Sequence, residues 1–249
     1  QKTRCRTQQG HRQTNGATWN MVKVKSLFIS DLHIGVKHNN VKALLEILDD
    51  YEFENLFLVG DIIDMTKIAR KPRWKKSYGK FFKKLIDLSA NTNIIYITGN
   101  HDHVLREFTP FNIGPFKIVD EYVYKDILLI HGDKFDRLVY QRKWLYMFGS
   151  FGYDFMIWLD DTFNMKGVLS KKAKRITKKT SNYLNDFYET ARRYAKSKKC
   201  SKIVCGHTHM QEWRKIKDIN YYNCGDFRES STYIIEKLDG TLCLEVKYE

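Results

Sequence analysis

The sequence predicts an α/β domain with a helical insertion, on three observations. From Met21 onward, short β-branched runs alternate with amphipathic helical patterns, as βα units around a sheet do. Five of the apolar runs stop at Gly or Ser and present Asp, Asn or His there, the placement expected at the carboxyl edge of an open sheet. One long stretch, Leu138 to Lys199, carries no strand pattern and interrupts the alternation. At 249 residues the chain is long enough for one large domain with a sizeable core, without requiring two.

Taken in order, Val24 to Ser30 reads as the first strand and Val41 to Tyr51 as a helix with Leu44, Leu45 and Leu48 on one face. Leu56 to Val59 is a second strand, followed by a basic segment, Lys67 to Lys76, and a helix around Gly79 to Leu88. Ile94 to Thr98 is a buried strand, and Gly99-Asn100-His101-Asp102 turns off its end into a helical turn. Val119 to Lys125 and Asp126 to Ile130 read as paired strands. After the insertion, a meander follows over Lys202 to Cys205, Trp213 to Ile216, Ile219 to Asn223, Ser231 to Lys237 and Thr241 to Val246, with Asp239-Gly240 as a hairpin turn.

Composition bounds the class. With 43% hydrophobic residues, 14% aromatic residues and three prolines, the chain is a folding one and not a disordered or fibrous one. Its net charge of +14 predicts an anionic partner: a nucleotide, a nucleic acid or an anionic membrane surface. The five cysteines form no Cys-x-x-Cys pair, which argues against a disulfide framework or structural zinc and for reduced thiols in the cytoplasm. No apolar run approaches the roughly 20 residues that span a bilayer. Gln1 to Asn20 are polar and basic, without a secretory apolar core, and are expected to be a disordered leader ahead of a domain over 21–249.

The polar groups at the strand ends form one series: Asp31 and His33, then Asp61 and Asp64, Asn100 and His101, His131, and His207 with His209. Asp31 and His33 are two apart in an extended chain and so point the same way, toward one ion. A Gly-Asp pair is ordinary turn chemistry, and a lone His is commonly a satisfied structural residue. Five such ends in one chain have another cause, because unpaired buried polar groups cost a few kcal/mol each, and about that much per group is not borne by a core for nothing. Imidazole, carboxylate and amide donors without thiolate suit Mn²⁺, Fe²⁺ or Zn²⁺.

The ordered series Asp-x-His, Gly-Asp, Gly-Asn-His-Asp, His and Gly-His-x-His resembles the calcineurin-like metallophosphoesterase superfamily, over Leu27 to about Glu236. The resemblance implies a sandwich of two mixed β-sheets flanked by helices, and two divalent ions, with Mn²⁺ ahead of Fe²⁺ or Zn²⁺. It places Asp31, His33 and His209 on one ion, Asn100, His131 and His207 on the other, and Asp61 between them. It gives His101 the substrate-facing role, oriented by Asp64 or by Asp102. A narrower likeness rests on Gly60 to Asp64, Ile130 to Asp136, Ile203 to His209 and above all Asn223-Cys224-Gly225-Asp226-Phe227-Arg228-Glu229-Ser230. These stretches look like UDP-2,3-diacylglucosamine diphosphatases, which implies hydrolysis of a nucleotide-linked lipid to UMP and lipid phosphate, as in lipid A assembly. His101 stands where the best-known members carry Arg, as in a paralogue branch. A phosphodiesterase or nuclease acting on nucleotides or nucleic acid is the alternative.

The insertion, at about 138–200, is where substrate choice is expected. Its aromatic residues between Trp144 and Phe163 are numerous enough to pack a helical hairpin and also to line an acyl groove or touch a membrane. Lys171, Lys174 and Lys178 fall on one helical face, with Arg175, and are candidates for substrate or headgroup binding. A second basic cluster, Lys67, Arg70, Lys71, Arg73, Lys75 and Lys76, follows Asp64. Contact with the inner face of an anionic membrane would join the apolar and basic surfaces.

Overall fold

A computed structural model describes residues 21–70, 74–139 and 168–248, with side chains over 21–70, 74–136 and 183–248. The expected leader, the aromatic residues from Trp144 to Phe163, and Lys71 and Arg73 lie outside these residues. One compact unit draws on residues up to Gly132 and from Ala195 onward, and a second spans Asp133–Tyr194.

The first unit holds two mixed sheets. Strands β1 (Val22–Ile29), β2 (Tyr51–Val59), β3 (Asn93–Ile97), β4 (Phe111–Ile113), β5 (Phe116–Val119), β11 (Thr232–Glu236) and β12 (Leu242–Val246) form a seven-stranded sheet in the order β12-β11-β1-β2-β3-β5-β4. Strands β6 (Glu121–Tyr124), β7 (Ile127–Ile130), β8 (Lys202–Cys205), β9 (Glu212–Ile216) and β10 (Ile219–Asn223) form a five-stranded sheet in the order β6-β7-β8-β10-β9. Neighbours β1, β2, β3 and β5 run parallel, as do β7, β8 and β10. Parallel alignment puts the carboxyl ends of successive strands at one edge of each sheet, which is what gathers the polar series.

The period-2 alternation of side chains divides the core in two. Leu27, Ile29, Leu56, Leu58, Ile94 and Tyr96 pack on the side of α1 (Val41–Asp50) and α3 (Lys76–Leu88), against Leu44, Ile47, Tyr78, Phe81 and Leu85. Phe28, Phe57, Val59, Ile95 and Ile97 point the other way and meet Ile127, Leu129 and Val204 of the smaller sheet. Helix α1 starts where Asn40 accepts a hydrogen bond from the Ala43 N–H at 3.1 Å. The fold is therefore the α/β sandwich of two mixed sheets flanked by helices that the sequence predicts.

Several boundaries differ, each for a local reason. The strand expected over Val119 to Lys125 is two strands in different sheets: β5 ends at Val119 and β6 begins at Glu121. Asp120 marks the crossing, tied to Thr98 Oγ1 at 3.1 Å and to Arg106 Nε at 2.6 Å. Strand β2 starts at Tyr51, directly after α1, and not at Leu56, because its first half pairs with Val22 to Val24 at the sheet's end. The short β4–β5 hairpin and helix α2 (Met65–Arg70) are additional elements. Lys67 and Arg70 of the basic segment lie in the last turn of α2, while Lys75 donates to Lys37 O and Asn39 Oδ1 at 3.0 and 3.1 Å, a loop tie.

The second unit begins at Asp133, earlier than the expected 138, with helix α4 (Asp133–Val139). Helix α5 (Val168–Ser197) follows in the described residues and runs on into the first unit. Within the second unit Tyr183 OH donates to Asp136, and the Phe135 and Phe187 rings meet edge to face at 5.6 Å. Lys171, Lys174 and Lys178 lie on α5, and their side chains are outside those described.

At the end of β11, away from the Asp/His series, one buried acid links the two sheets. Glu236, 1% exposed, accepts from Ser26 Oγ and from Lys125 Nζ, both at 2.6 Å, and Asn55 Nδ2 donates to Tyr124 OH at 3.3 Å beside them. Removing the carboxylate leaves Ser26 Oγ only Tyr124 OH to donate to, at the longer 3.4 Å. Glu236→Ala is expected to lower unfolding free energy by about 1–3 kcal/mol, read as a lower urea midpoint; an unchanged midpoint would show that the link is not a stabilising one.

Candidate metal centre

The backbone is unusual at the strand ends. Among the described residues, nine that are not glycine have positive φ, and five of these are Asp31, His33, Asp61, His207 and His209. Each such conformation costs about 1–3 kcal/mol for a residue with a Cβ, so its concentration at one edge points to function. The left-handed residues let a chain leaving a strand turn sharply while still aiming its side chain across the strand tips. Two glycines make room for the carboxylates. A Cβ at Gly99 would strike Asp61, and one at Gly206 would strike Asp31 and Ser30.

The two carboxylates organise what surrounds them. Asp31, fully buried after β1, takes the His207 N–H on Oδ2 at 3.0 Å, while its Oδ1 lies 3.8 Å from His33 Nε2 and 3.5 Å from His209 Nε2. Asp61, 1% exposed after β2, takes the His101 N–H on Oδ1 at 2.8 Å. Its Oδ2 lies 3.2 Å from His131 Nε2, 3.9 Å from His33 Nε2 and 4.0 Å from His101 Nε2. Burial alone would raise the Asp61 carboxyl, but His131, through charge and hydrogen bond, and the His101 N–H hold it well below the usual carboxylate range.

The imidazoles are oriented by their far nitrogens. His131 Nδ1 lies 3.1 Å from Val59 O, a contact that orients the ring and turns Nε2 toward Asp61. His209 Nδ1 lies 3.3 Å from Asp226 Oδ2, and this contact is the main reason its imidazole is raised above the ordinary value. The His33 and His209 rings stack at 5.3 Å, and those of His131 and His207 meet edge to face at 5.2 Å.

Among the described residues, three donor groups result, each with its atoms within 4.8 Å of one another: Asp31, His33 and His209; Asp31, Asp61 and His131; and His33, Asp64 and His101. The first is the set that the resemblance assigns to one ion. His207 joins none of the three, and its place beside His131 comes from the ring contact and its N–H bond to Asp31.

A fit test for metal comes from the buried atoms. Asp31 Oδ1, both ring nitrogens of His33 and Asn100 Oδ1 are buried without a hydrogen-bond partner among the described residues. Such atoms are costly in a protein interior unless a cation completes them. Oxygen and imidazole donors, with Asp61 between the groups, fit a dinuclear divalent site.

The two acids near His101 separate. Asp64 Oδ2 stands 3.0 Å from His101 Nδ1 and 3.7 Å from His33 Nδ1, and its Oδ1 takes the Lys67 N–H at 2.9 Å. Asp102 is turned inward, accepting from Tyr96 OH and the Gly99 N–H; burial and then the Asp61 charge push its carboxyl up to about 6. Asp102 thus braces the turn, and Asp64 is the acid in contact with the His101 ring.

Asp226 is a site residue that the motif series omitted. Nearly buried, it gathers the Arg228, Glu229 and Ser230 N–H groups on Oδ1 at 3.0, 2.9 and 3.1 Å and offers Oδ2 to His209. Burial would raise this carboxyl, but His209 and the three N–H donors outweigh it and keep it ionised. Gly225-Asp226 after β10 repeats the Gly60-Asp61 pattern after β2, so the signal was present in the sequence.

Two outcomes follow from this geometry. Exhaustive dialysis against EDTA should lower the thermal midpoint by roughly 5–10 °C, since about 2–3 kcal/mol of binding energy is removed from a chain of this size; an unchanged midpoint would mean that no cation couples to the fold. Asp226→Ala should weaken divalent-ion affinity about 10–100-fold, read by titration calorimetry, because it frees the ring of His209; wild-type affinity would remove Asp226 from the site.

Solved structures similar to the chain include vacuolar protein sorting 29 from Cryptosporidium parvum, at 13% identity, 89% of this chain, 95% of that one and a TM-score of 0.45. They also include an archaeal phosphodiesterase, at 18% identity, 89% and 98% coverage and a TM-score of 0.44. A nuclease of Pseudomonas putida matches at 25% identity over 43% of this chain and 53% of its own, with a TM-score of 0.32. No curated protein matches the sequence. Among the described residues, no helix is long and apolar enough to cross a membrane. The model of the calcineurin-like phosphoesterase family matches residues 24–211, which contain all of the strand-end series. The chain therefore belongs to the calcineurin-like phosphoesterase family and is a metal-dependent phosphoester hydrolase.

Proposed function

We propose that the chain hydrolyses the diphosphate of a nucleotide-linked lipid of the UDP-2,3-diacylglucosamine type, releasing UMP and a lipid phosphate. The observation that carries the reaction class is the pairing of His101 with Asp64 beside the Asp/His cluster. Asp31, His33 and His209 would hold one divalent ion, Asn100, His131 and His207 a second, and Asp61 would serve both. Bound there, the ions supply Lewis acidity, neutralising phosphoryl charge and making a water nucleophilic near neutral pH.

The remaining chemistry falls to the chain. Asp64 Oδ2 stands 3.0 Å from His101 Nδ1, which orients the ring and leaves Nε2 to face a substrate. The His101 side chain is 39% exposed, against 33% for His209, whereas His33 and His131 are buried, so the His101 imidazole is open to a substrate. In hydrolysis, the water oxygen bonds to phosphorus and the bridging P–O bond breaks. His101 Nε2 hydrogen-bonds a phosphoryl oxygen or gives its proton to the departing oxygen.

The lipid-diphosphate reading rests on the Asn223 to Ser230 stretch, whose Asp226 braces His209, and on Lys171, Lys174 and Lys178 of α5 as headgroup or phosphate contacts. Mn²⁺ is the proposed metal, with Fe²⁺ and Zn²⁺ as competitors, and the proposed location is the cytoplasm with peripheral contact at an anionic inner membrane face. A nuclease or phosphodiesterase is the second reading, favoured by the net charge of +14.

Purified protein with Mn²⁺ should release UMP from UDP-2,3-diacylglucosamine. Good cleavage of bis-p-nitrophenyl phosphate or of an oligonucleotide, without UMP release, would instead establish the second reading. His101→Ala should lower kcat about 10²–10⁴-fold while retaining two metals per chain by elemental analysis; loss of metal would make His101 a ligand.

A further inference from the structure

A cavity of about 830 Å³ opens beside His209, large enough for a nucleotide-sized group. Its walls come from three loops of the first unit and the end of β12. The loop before α1 contributes Lys37 and His38, the loop after β10 contributes Arg228 and Glu229, and Tyr248 follows β12. Lys37, His38, Arg228 and Tyr248 are all exposed there.

The cations of this cavity differ in their engagement. Lys247 is held by Asp50 at 2.7 Å and Glu46 at 3.5 Å, and so is neutralised by α1. The Arg228 guanidinium and Lys37 ammonium have no hydrogen-bond or ion-pair partner among the described residues, although the backbones of both are tied down. Arg228 N donates to Asp226 Oδ1 at 3.0 Å, and Lys37 O accepts from Lys75 Nζ at 3.0 Å. Two unpaired cations on anchored backbones leave Glu229 as the one acid of the wall, a net positive recess next to a metal-site histidine. Asp226 braces His209 through Oδ2 and the Arg228 backbone through Oδ1, so the recess and the metal centre share one support.

We infer that this recess is an anion subsite, in which Arg228 and Lys37 bind a second phosphate of the substrate while the scissile phosphate sits at the metal centre. The inference rests on the hydrolase reading and deepens it. A diphosphate or other doubly phosphorylated diester fits, and a simple phosphodiester leaves the recess unfilled. Arg228 offers a planar fork suited to two phosphoryl oxygens, and Lys37 adds a point charge on the opposite loop.

The test compares Arg228→Ala, Lys37→Ala and the charge-retaining Arg228→Lys with the wild type, all loaded with metal. The readout is the ratio of kcat/KM for a diphosphate diester to that for bis-p-nitrophenyl phosphate. UDP-N-acetylglucosamine and UDP-2,3-diacylglucosamine are separate arms, so that a headgroup effect is distinguished from an acyl one. Each alanine variant should lower the ratio about tenfold, chiefly through KM for the diphosphate, and Arg228→Lys should restore most of it. Equal loss on both substrate classes, or no loss, overturns the subsite. A second readout needs no turnover: titration with α,β-methylene UDP, whose P–C–P bridge resists hydrolysis, should give about tenfold weaker binding for Arg228→Ala. Unchanged affinity also overturns the proposal. Failure to hydrolyse any substrate would sink the hydrolase reading, while the titration still decides the subsite.

Discussion

Two buried carboxylates at the seam between the sheets are what the rest of the centre depends on. Asp31 and Asp61 leave adjacent parallel strands of the larger sheet, and each reaches a residue that follows a strand of the smaller one: Asp31 the His207 N–H, Asp61 the ring of His131. Buried charge is tolerated only where donors or cations converge on it. The left-handed backbones, the bare Cα atoms of Gly99 and Gly206, and the imidazoles turned inward all serve that convergence. The edge is therefore under electrostatic tension that the backbone donors relieve in part and a divalent ion would relieve further.

That dependence explains how much of the centre could be read from the chain. A strand that must deliver a carboxylate into a crowded seam ends in a small residue and then the acid, as in Ser30-Asp31 and Gly60-Asp61, and this pattern is visible without any structure. Its second element, the αL turn, leaves no residue signature, because Asp and His occupy it here in place of Gly. Asp226 shows the same Gly-Asp pattern and was read only as part of a longer family stretch, since its partner His209 is close in space and not in sequence. Asp64 and Asp102 lie three residues after Asp61 and one after His101, and spacing favours neither. Burial of the Tyr96 hydroxyl decides it: a phenol in the core needs an acceptor, and Asp102 is the one within reach.

Elements that serve the sheets were legible where hydrophobic alternation was unbroken and illegible where the chain changes sheet. Val119 to Lys125 reads as one strand because Val119, Tyr122, Val123 and Tyr124 suit a strand. Yet Asp120 is the point at which the partner strand changes from β3 to β7, and partner identity is a non-local property. The same holds for the β4–β5 hairpin, whose three-residue strand is too short for a periodic signal. Glu236 is a related case. A Glu at the end of a strand reads as a solvated charge, and only the approach of Lys125 from the other sheet makes it a buried acceptor.

Chemistry and selectivity are built on different kinds of backbone in this molecule. The residues of the Asp/His cluster sit within five positions of a strand's end. Lys37 and Arg228 sit on loops, and their side chains are exposed while their main chains are held by Lys75 and Asp226. A side chain that is free at its tip and anchored at its root can be exchanged without disturbing the metal centre, whereas Asp31 or Asp61 cannot be changed without leaving buried donors unpaired. Asp226 stands on the boundary between the two, one oxygen for the ring of His209 and one for the loop that carries Arg228, so one carboxylate ties that loop to the His209 ring.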